Sequence, residues 1–261
     1  MIHIGTSGFS YDDWVGPVYP EGLAKSDWLT YYAREFDTVE LNASYYRMPD
    51  ARTLEAMAAK TSPGFRFTLK AHQSMTHSRD ADEASYRAFV QALAPWRERD
   101  QLGCILAQFP TSFVQTDANW AFLETLRTRL GDLPVVVEVR HRSWIEPGFF
   151  QRLREIGLGY CCVDQPRFRN LVPPVAEATA PPGYVRFHGR NAAKWWRHEQ
   201  AWERYDYRYS RQELVPWAAR ARELEREVGT VYLFANNHWQ GQAVDTARQL
   251  RMLLEDTASL A

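Results

Sequence analysis

Seven side chains carry the chemistry open to this sequence: Glu40, Lys70, Glu138, Arg140, Asp164, Arg186 and His188. Carboxylates and a histidine pass protons, and a carboxyl group in a dry pocket rises towards neutrality unless a cation holds it ionised. Arginine and lysine hold anions, and a desolvated lysine amine can also attack a carbonyl to give a Schiff base. All seven lie within or at the C-terminal ends of short apolar runs. In VVVEVRHRSW, Val135 to Trp144, period-two alternation puts Val135, Val137 and Val139 on one face and Glu138 and Arg140 on the other. Burying either charge unpaired would cost several kcal/mol, so this strand must end where other charges converge.

The chemical reading gives Glu138 the acid or base, with Glu40 as a second carboxylate. Lys70, Arg140 and Arg186 hold an anion, and His188 passes a proton. A purely structural reading makes the same residues an internal ion-pair network that closes the fold, and leaves Lys70 to neutralise Glu138. Buried pairs of this kind roughly break even against an apolar core, which favours function as the reason for so many. Glu40, Glu138, Asp164 and His188 have the donor types of a divalent metal site, but Lys70, Arg140 and Arg186 would repel the ion. No H-x-x-x-H spacing occurs. Neither a metal nor another cofactor is therefore expected. His72, His77 and His141 are further candidate proton carriers, each as readily a satisfied polar residue.

Two other stretches point towards anions. FANNHWQGQA brings Asn236 and Asn237 to the start of the last helical pattern near Gly241, where a helix N-terminus can hold phosphate, or where Asn simply tolerates a turn. Gly5 to Gly8, GTSG, reads as a tight turn opening the site. The stretch Arg190 to Arg211 interleaves Trp195, Trp196, Trp202, Tyr205, Tyr207 and Tyr209 with Arg190, Lys194, Arg197, Arg204, Arg208 and Arg211. Such a pattern fits a lid over a sugar phosphate, a clamp on nucleic acid, or packing of a long loop on a rim, with Tyr205 and Tyr207 as anchors.

The elements that must position these groups alternate. Strand patterns run from Ile2 to Gly5, Thr38 to Asn42, Phe65 to Lys70, Cys104 to Gln108, Val135 to Arg140, Tyr160 to Asp164, Tyr184 to His188 and Val231 to Asn236. Helical patterns run from Ser26 to Phe36, Asp50 to Lys60, Asp82 to Arg99, Asp117 to Leu130, Pro147 to Ile156, Arg211 to Val228 and Gln242 to Leu254. Asp50 caps the second, and Ser210 with Glu213 forms a capping box that Pro216 opposes, implying a start nearer Leu214 or a kink. Gln165 to Gly183 carries five prolines without helical periodicity and reads as an irregular connection. Eight such alternations predict an α/β fold, a (β/α)8 TIM barrel in one domain spanning residues 1–261. Alternation then sends Ile2, Ile4, Val39, Leu41, Phe67, Leu69, Val137, Val139, Val185, Phe187, Leu233 and Ala235 outward. It sends His3, Glu40, Asn42, Arg66, Lys70, His72, Gln108, Glu138, Arg140, Asp164, Arg186, His188 and Asn236 inward.

The totals bound the answer. A net charge of −1 removes any global electrostatic reason to bind nucleic acid, leaving only the local excess of Arg190 to Arg211. The chain enters a strand pattern at its first residues and contains no apolar run of about 18 residues, so neither a signal peptide nor a membrane span is expected and the location is read as cytoplasmic. Cys104, Cys161 and Cys162 fall in apolar strand patterns and read as buried free thiols. No feature specifies an oligomer.

The motifs GTSGFSYDDWVGPVYP, VELNASYYRMP, FRFTLKAHQSMTH, VEVRHRSW, YVRFHGR with YDYRYS, and FANNHWQGQA, in that order across nearly the whole chain, resemble the YecE-like family, domain of unknown function 72. The resemblance implies a TIM barrel and brings no established reaction. Its motif positions are Glu40, Asn42, Lys70, His77, Glu138, Arg140, Trp144, His188, Arg190, Tyr205, Tyr207, Asn236 and Asn237. At Phe9, where similar proteins usually have Trp, an aromatic wall is kept. The expectation is a charged pocket at the C-terminal mouth of the barrel, roofed by Arg190 to Arg211, that binds a phosphate-bearing or otherwise anionic small molecule. Its substrate-binding residues are Asn42, Arg140, Asp164, Arg186, Arg190, Trp195, Tyr205, Tyr207, Asn236 and Asn237. The chemistry belongs to Glu138, Lys70, His188 and Glu40. The alternatives are a nucleic-acid-binding protein or phosphodiesterase acting through the basic, aromatic loop, and a barrel turned partner-binding module.

Overall fold

β-branched and aromatic residues at period two make eight parallel strands, and the helical connections between them cover the outer face of the sheet. The computed structural model describes residues 1–258. The strands are β1 (Ile2–Thr6), β2 (Thr38–Leu41), β3 (Arg66–Lys70), β4 (Leu102–Gln108), β5 (Val135–Glu138), β6 (Gly159–Asp164), β7 (Gly183–Phe187) and β8 (Val231–Ala235). The helices are α1 (Trp28–Tyr32), α2 (Ala51–Ala58), α3 (Gln73–Thr76), α4 (Glu83–Ala92), α5 (Ala94–Glu98), α6 (Asp117–Arg129), α7 (Phe149–Ile156), α8 (Arg211–Val228) and α9 (Gln242–Ala258). Hydrogen-bonded neighbours run β1-β8-β7-β6-β5-β4-β3-β2. The ring is completed by a parallel bridge between Ser7 and Glu40, where Gly8 N donates to Glu40 O at 2.7 Å. This is the nearly closed (β/α)8 barrel that the strand count implies.

The connection through residues 165–182 is irregular, as its prolines require. Asp50 accepts from Thr53 N at 3.0 Å, and the Ser210–Glu213 capping box is formed, so α8 starts at Arg211 and continues past Pro216. The helical stretch expected from Asp82 to Arg99 divides into α4 and α5, because Pro95 has no N–H to carry the ladder on. Only Trp28–Tyr32 of the stretch from Ser26 to Phe36 is α-helical, preceded by a 3-10 turn at Lys25–Asp27. The short α3 begins at an N-cap made by His72, which period counting overlooks in four residues.

The outward faces pack as the alternation requires: Phe67 stacks on Trp96 at 4.4 Å, and Phe187 meets Trp217 edge-on at 5.6 Å. Inside, the lower half is aromatic, with Tyr184, Tyr232 and Phe234 in mutual contact and Tyr184 Oη 2.9 Å from Thr68 Oγ1. His3 and Arg66, both expected inward, mark the opposite end of the barrel from the chemistry. His3 stacks on Tyr232 and meets Asp37 at 2.7 Å, and Arg66 meets Asp100 at 2.8 Å. They begin their strands, whereas Lys70 and Glu138 end theirs. All three cysteines are buried and free. Among the described residues no helix is long and apolar enough to cross a membrane.

Closure relies on Gly5, where a Cβ would collide with the Thr38 carbonyl oxygen across the β1/β2 seam. Overpacking of this kind costs about 1–3 kcal/mol or more. Gly5→Ala is expected to lower the urea midpoint by a corresponding amount without changing the denaturant slope. An unchanged midpoint would show that the seam yields.

Candidate functional site

The charged end of β5 meets the charged ends of β2 and β7 at the barrel axis. Arg186 donates from Nε and Nη2 to the two oxygens of Glu40 at 2.9 and 2.6 Å, and from Nη1 to Glu138 Oε2 at 2.7 Å. Tyr184 Oη donates to Glu40 Oε2 at 2.7 Å. The other oxygen of Glu138 accepts from Arg140 Nη1 at 2.5 Å and is 3.1 Å from His188 Nε2. His188 meets Asn236 Nδ2 through Nδ1 at 2.9 Å, and its Nε2 lies 2.8 Å from Arg140 Nη1 as well as close to Glu138. Glu40, Glu138, Arg186 and His188 are all buried.

This arrangement fixes protonation states. Burial alone would raise the Glu138 carboxyl, but Arg186, Arg140 and the His188 hydrogen bond outweigh it and hold the group well below the usual carboxylate range. His188 is pushed down to about 3, by burial first and by Arg140 next, so it is neutral at physiological pH. Lys70 differs from its neighbours. Among the described residues its amine forms no hydrogen bond or ion pair, and Nζ lies 4.2 Å from the centre of the Tyr45 ring. Burial and then Arg186 lower its amine to about 8. Beyond Tyr45, His77 is edge-on at 4.8 Å and lowered to about 4 by burial and Lys70.

Above these groups opens a cavity of about 880 Å³, within the range of small-molecule sites. Lys70, Arg140, Arg186, His188, Asn236 and Asn42 form its polar floor. Phe9, Tyr11, Tyr45, Tyr46, Trp202 and Tyr205 supply much of its wall. Glu40 and Glu138 lie beneath this floor, with every carboxylate oxygen bonded. Trp195 is buried behind it, 5.4 Å from the Arg140 guanidinium and 6.5 Å from the His188 ring.

Like Trp195, four further residues expected to bind substrate lie outside the cavity. Asp164 faces the helices, because in β6 it is Cys161 whose sulfur points in towards Glu138, at 3.8 Å, while Tyr160 packs outward on Phe149 and Phe150. Trp217 Nε1 and Tyr209 Oη each donate to Asp164 at 2.7 Å, and Arg190 binds it through Nε and Nη2 at 2.8 and 2.7 Å. Arg190 also meets Glu213 at 3.0 Å, to which Tyr207 Oη donates at 2.6 Å. Asn237 donates to Tyr207 O and Thr246 Oγ1 at 2.8 and 2.9 Å. These groups moor the roof to α8 and α9. At the turn into α9 Asp13 accepts from Gln240 N at 2.6 Å, and a Cβ at Gly241 would collide with Val18. The backbone N–H of Gln240, at the turn where the sequence suggested a phosphate, is thus taken up by Asp13.

Of the other roof rings, Tyr209 is buried like Trp195, Trp202 stacks on Trp239 at 3.7 Å, and only Trp196, at 51% exposure, is strongly open to solvent. His72 and His141 accept from Ser74 N and Ser143 N as helix caps, at 3.2 Å each. Among the described residues no cluster of His, Cys, Asp and Glu is placed to hold a metal ion: Arg186 separates Glu40 from Glu138, and Asp164 faces away. Tyr45, Tyr46 and His238 line the cavity without having been singled out in the sequence. Each lies within six residues of a strand's C-terminal end, and that position is the signal that could have found them.

Residues 3–260 match the family model described as protein of unknown function DUF72. The chain is 34% identical to UPF0759 protein YunF of Bacillus subtilis, over 98% of this chain and 95% of that protein. It is 29% identical to UPF0759 protein YecE of Escherichia coli over 63% of this chain and 58% of that one. A crystal structure of a DUF72 family protein from Thermotoga maritima superposes with a TM-score of 0.90 at 39% identity, covering 98% and 99% of the two chains. One from Enterococcus faecalis gives 0.86 at 29%, covering 98% and 96%.

The neutral His188 has a measurable consequence. Unfolded, a histidine takes up its proton near pH 6.5; folded, His188 does so only near pH 3. Between these values the unfolded state holds more protons, so stability present at neutral pH is lost as pH falls. One such proton changes the slope by about 1.4 kcal/mol per pH unit. In urea titrations between pH 6 and pH 4, His188→Gln is expected to reduce the slope by that amount. An unaltered slope would mean that His188 titrates normally.

Proposed function

Taking as its premise that the chain belongs to the DUF72 family of proteins of unknown function, we propose that the mouth of this barrel binds a small anionic molecule, most simply a phosphate ester, and acts on it by acid–base chemistry. The observation that carries the reading is a charge imbalance. Glu40 and Glu138 are consumed by Arg186 and Arg140, and Lys70 is left facing an 880 Å³ cavity with no carboxylate of its own. An anion on Lys70 and the outer edge of Arg140 would complete the balance.

In this reading Glu138 positions Arg140 and His188 from below the floor instead of exchanging protons with the ligand. The proton carrier is Lys70, whose lowered affinity matches the task near neutral pH. Asn42 and Asn236 offer amide groups for orientation, and the tyrosines beside them suit the apolar face of a sugar or a flat ring.

Calorimetry with inorganic phosphate, sugar phosphates and short single-stranded oligonucleotides tests this. A phosphate ester is expected to bind, and Lys70→Ala or Arg140→Ala to weaken it about 10- to 100-fold, the loss of one charge-assisted contact. Binding of oligonucleotides alone, weakened by Arg197→Ala and not by Lys70→Ala, would overturn the reading in favour of the outer face of the roof.

A further inference from the structure

We propose that Lys70 is a nucleophile, and that the ligand of this pocket is an anionic aldehyde or ketone with which its amine condenses to an imine. The inference rests on the anion-binding reading and adds the functional group that meets the lysine.

The first support is the choice of residue. The chain has 27 arginines and only four lysines, Lys25, Lys60, Lys70 and Lys194. Three of these are exposed and partnered: Lys25 with Asp12 at 2.8 Å, Lys60 with Ser26 O at 2.7 Å and Lys194 with Glu203 at 2.5 Å. Elsewhere in and around the site, positive charge is supplied by Arg140, Arg186, Arg190 and Arg204. A position needing charge alone would be served by the same side chain. Only lysine loses its proton at accessible pH and presents a lone pair.

The second support is placement. The amine ends β3 at the cavity floor, against the Tyr45 ring, with Arg186 and Arg140 on the same floor and no carboxylate bonded to it. Cationic neighbours and an unpaired, desolvated amine are the two features that make a lysine nucleophilic. With its proton affinity lowered to about 8, about a tenth of the amine is neutral at pH 7, against well under a thousandth for an ordinary lysine.

The step balances without a redox partner. The Nζ lone pair forms a C–N bond to the carbonyl carbon, and the carbonyl oxygen takes up a proton as the nitrogen loses one, giving a carbinolamine. The C–O bond then breaks as C=N forms, and the departing hydroxyl takes the remaining nitrogen proton, leaving as water. Arg140 holds the ligand's anionic group during both stages.

The test uses the wild-type protein with glyoxylate or dihydroxyacetone phosphate, reduction by borohydride, and mass spectrometry of the peptides bearing each lysine. Inorganic phosphate binding is measured in parallel by calorimetry. The expected result is adduct on Lys70 at least tenfold above Lys25, Lys60 and Lys194, suppressed by excess phosphate and absent from Lys70→Arg. Phosphate binding with Lys70 modified no more than the other lysines would overturn the imine and leave the anion pocket standing. Selective adduct on Lys70 without phosphate binding would sustain the nucleophile and overturn the anion reading. Neither signal would overturn both.

Discussion

The barrel mouth depends on the guanidinium of Arg186. It lies at the barrel axis with three hydrogen bonds to two buried carboxylates that come from β2 and β5, strands distant in the sheet order. Removing one member of such a set leaves an uncompensated buried charge, which costs far more than the intact set contributes. Everything around it follows from that constraint. Glu138 must stay ionised to serve Arg186, so it can also orient Arg140 and accept from His188. Burial, and after it Arg140, holds the imidazole neutral. Once these demands are met, Lys70 is the floor cation without an anion, with the Tyr45 ring 4.2 Å from its amine.

A second polar network occupies the other side of the sheet. Asp164 gathers Trp217, Tyr209 and Arg190 from α8 and the segment before it, in a region otherwise filled by apolar side chains. The long connection from β7 to α8 is therefore pinned near both of its ends, by Arg190 and by Tyr207 through Glu213. Between the pins its rings turn down onto the cavity rim and onto Trp239. The two networks divide the work, one setting the electrostatics of the floor and the other holding the roof.

The architecture was legible because each strand's apolar face repeats with period two, so that Val137, Val185 and Leu233 reported the outside and Glu138 and Arg186 the inside. The convergence of Glu40, Glu138 and Arg186 followed from the cost of burying charge. Asp164 was misassigned for the same reason it is unusual. It is a carboxylate on an outward face, and its partner Trp217 is 53 residues further along the chain, with nothing local to announce the contact. The pairing of Lys70 was equally hidden. Alternation places it beside Glu138, but whether Arg186 or Lys70 takes the carboxylate depends on distances fixed only by barrel closure. The roof posed a further difficulty, since interleaved rings and cations read alike whether they face a ligand or the protein's own interior.

Glu40 has two duties that meet in one residue. Its backbone carbonyl accepts from Gly8 N where the first and second strands meet, and its side chain holds Arg186. The counter-charge that tunes the floor is thus anchored at the joint that makes the sheet a ring, so the position of Arg186 is tied to barrel closure. Tyr46, Trp202 and Tyr205 at the rim belong to neither network of buried charges, so their side chains can change without exposing an unpaired charge. In such a barrel the rim is the part that tolerates change at least cost to the fold.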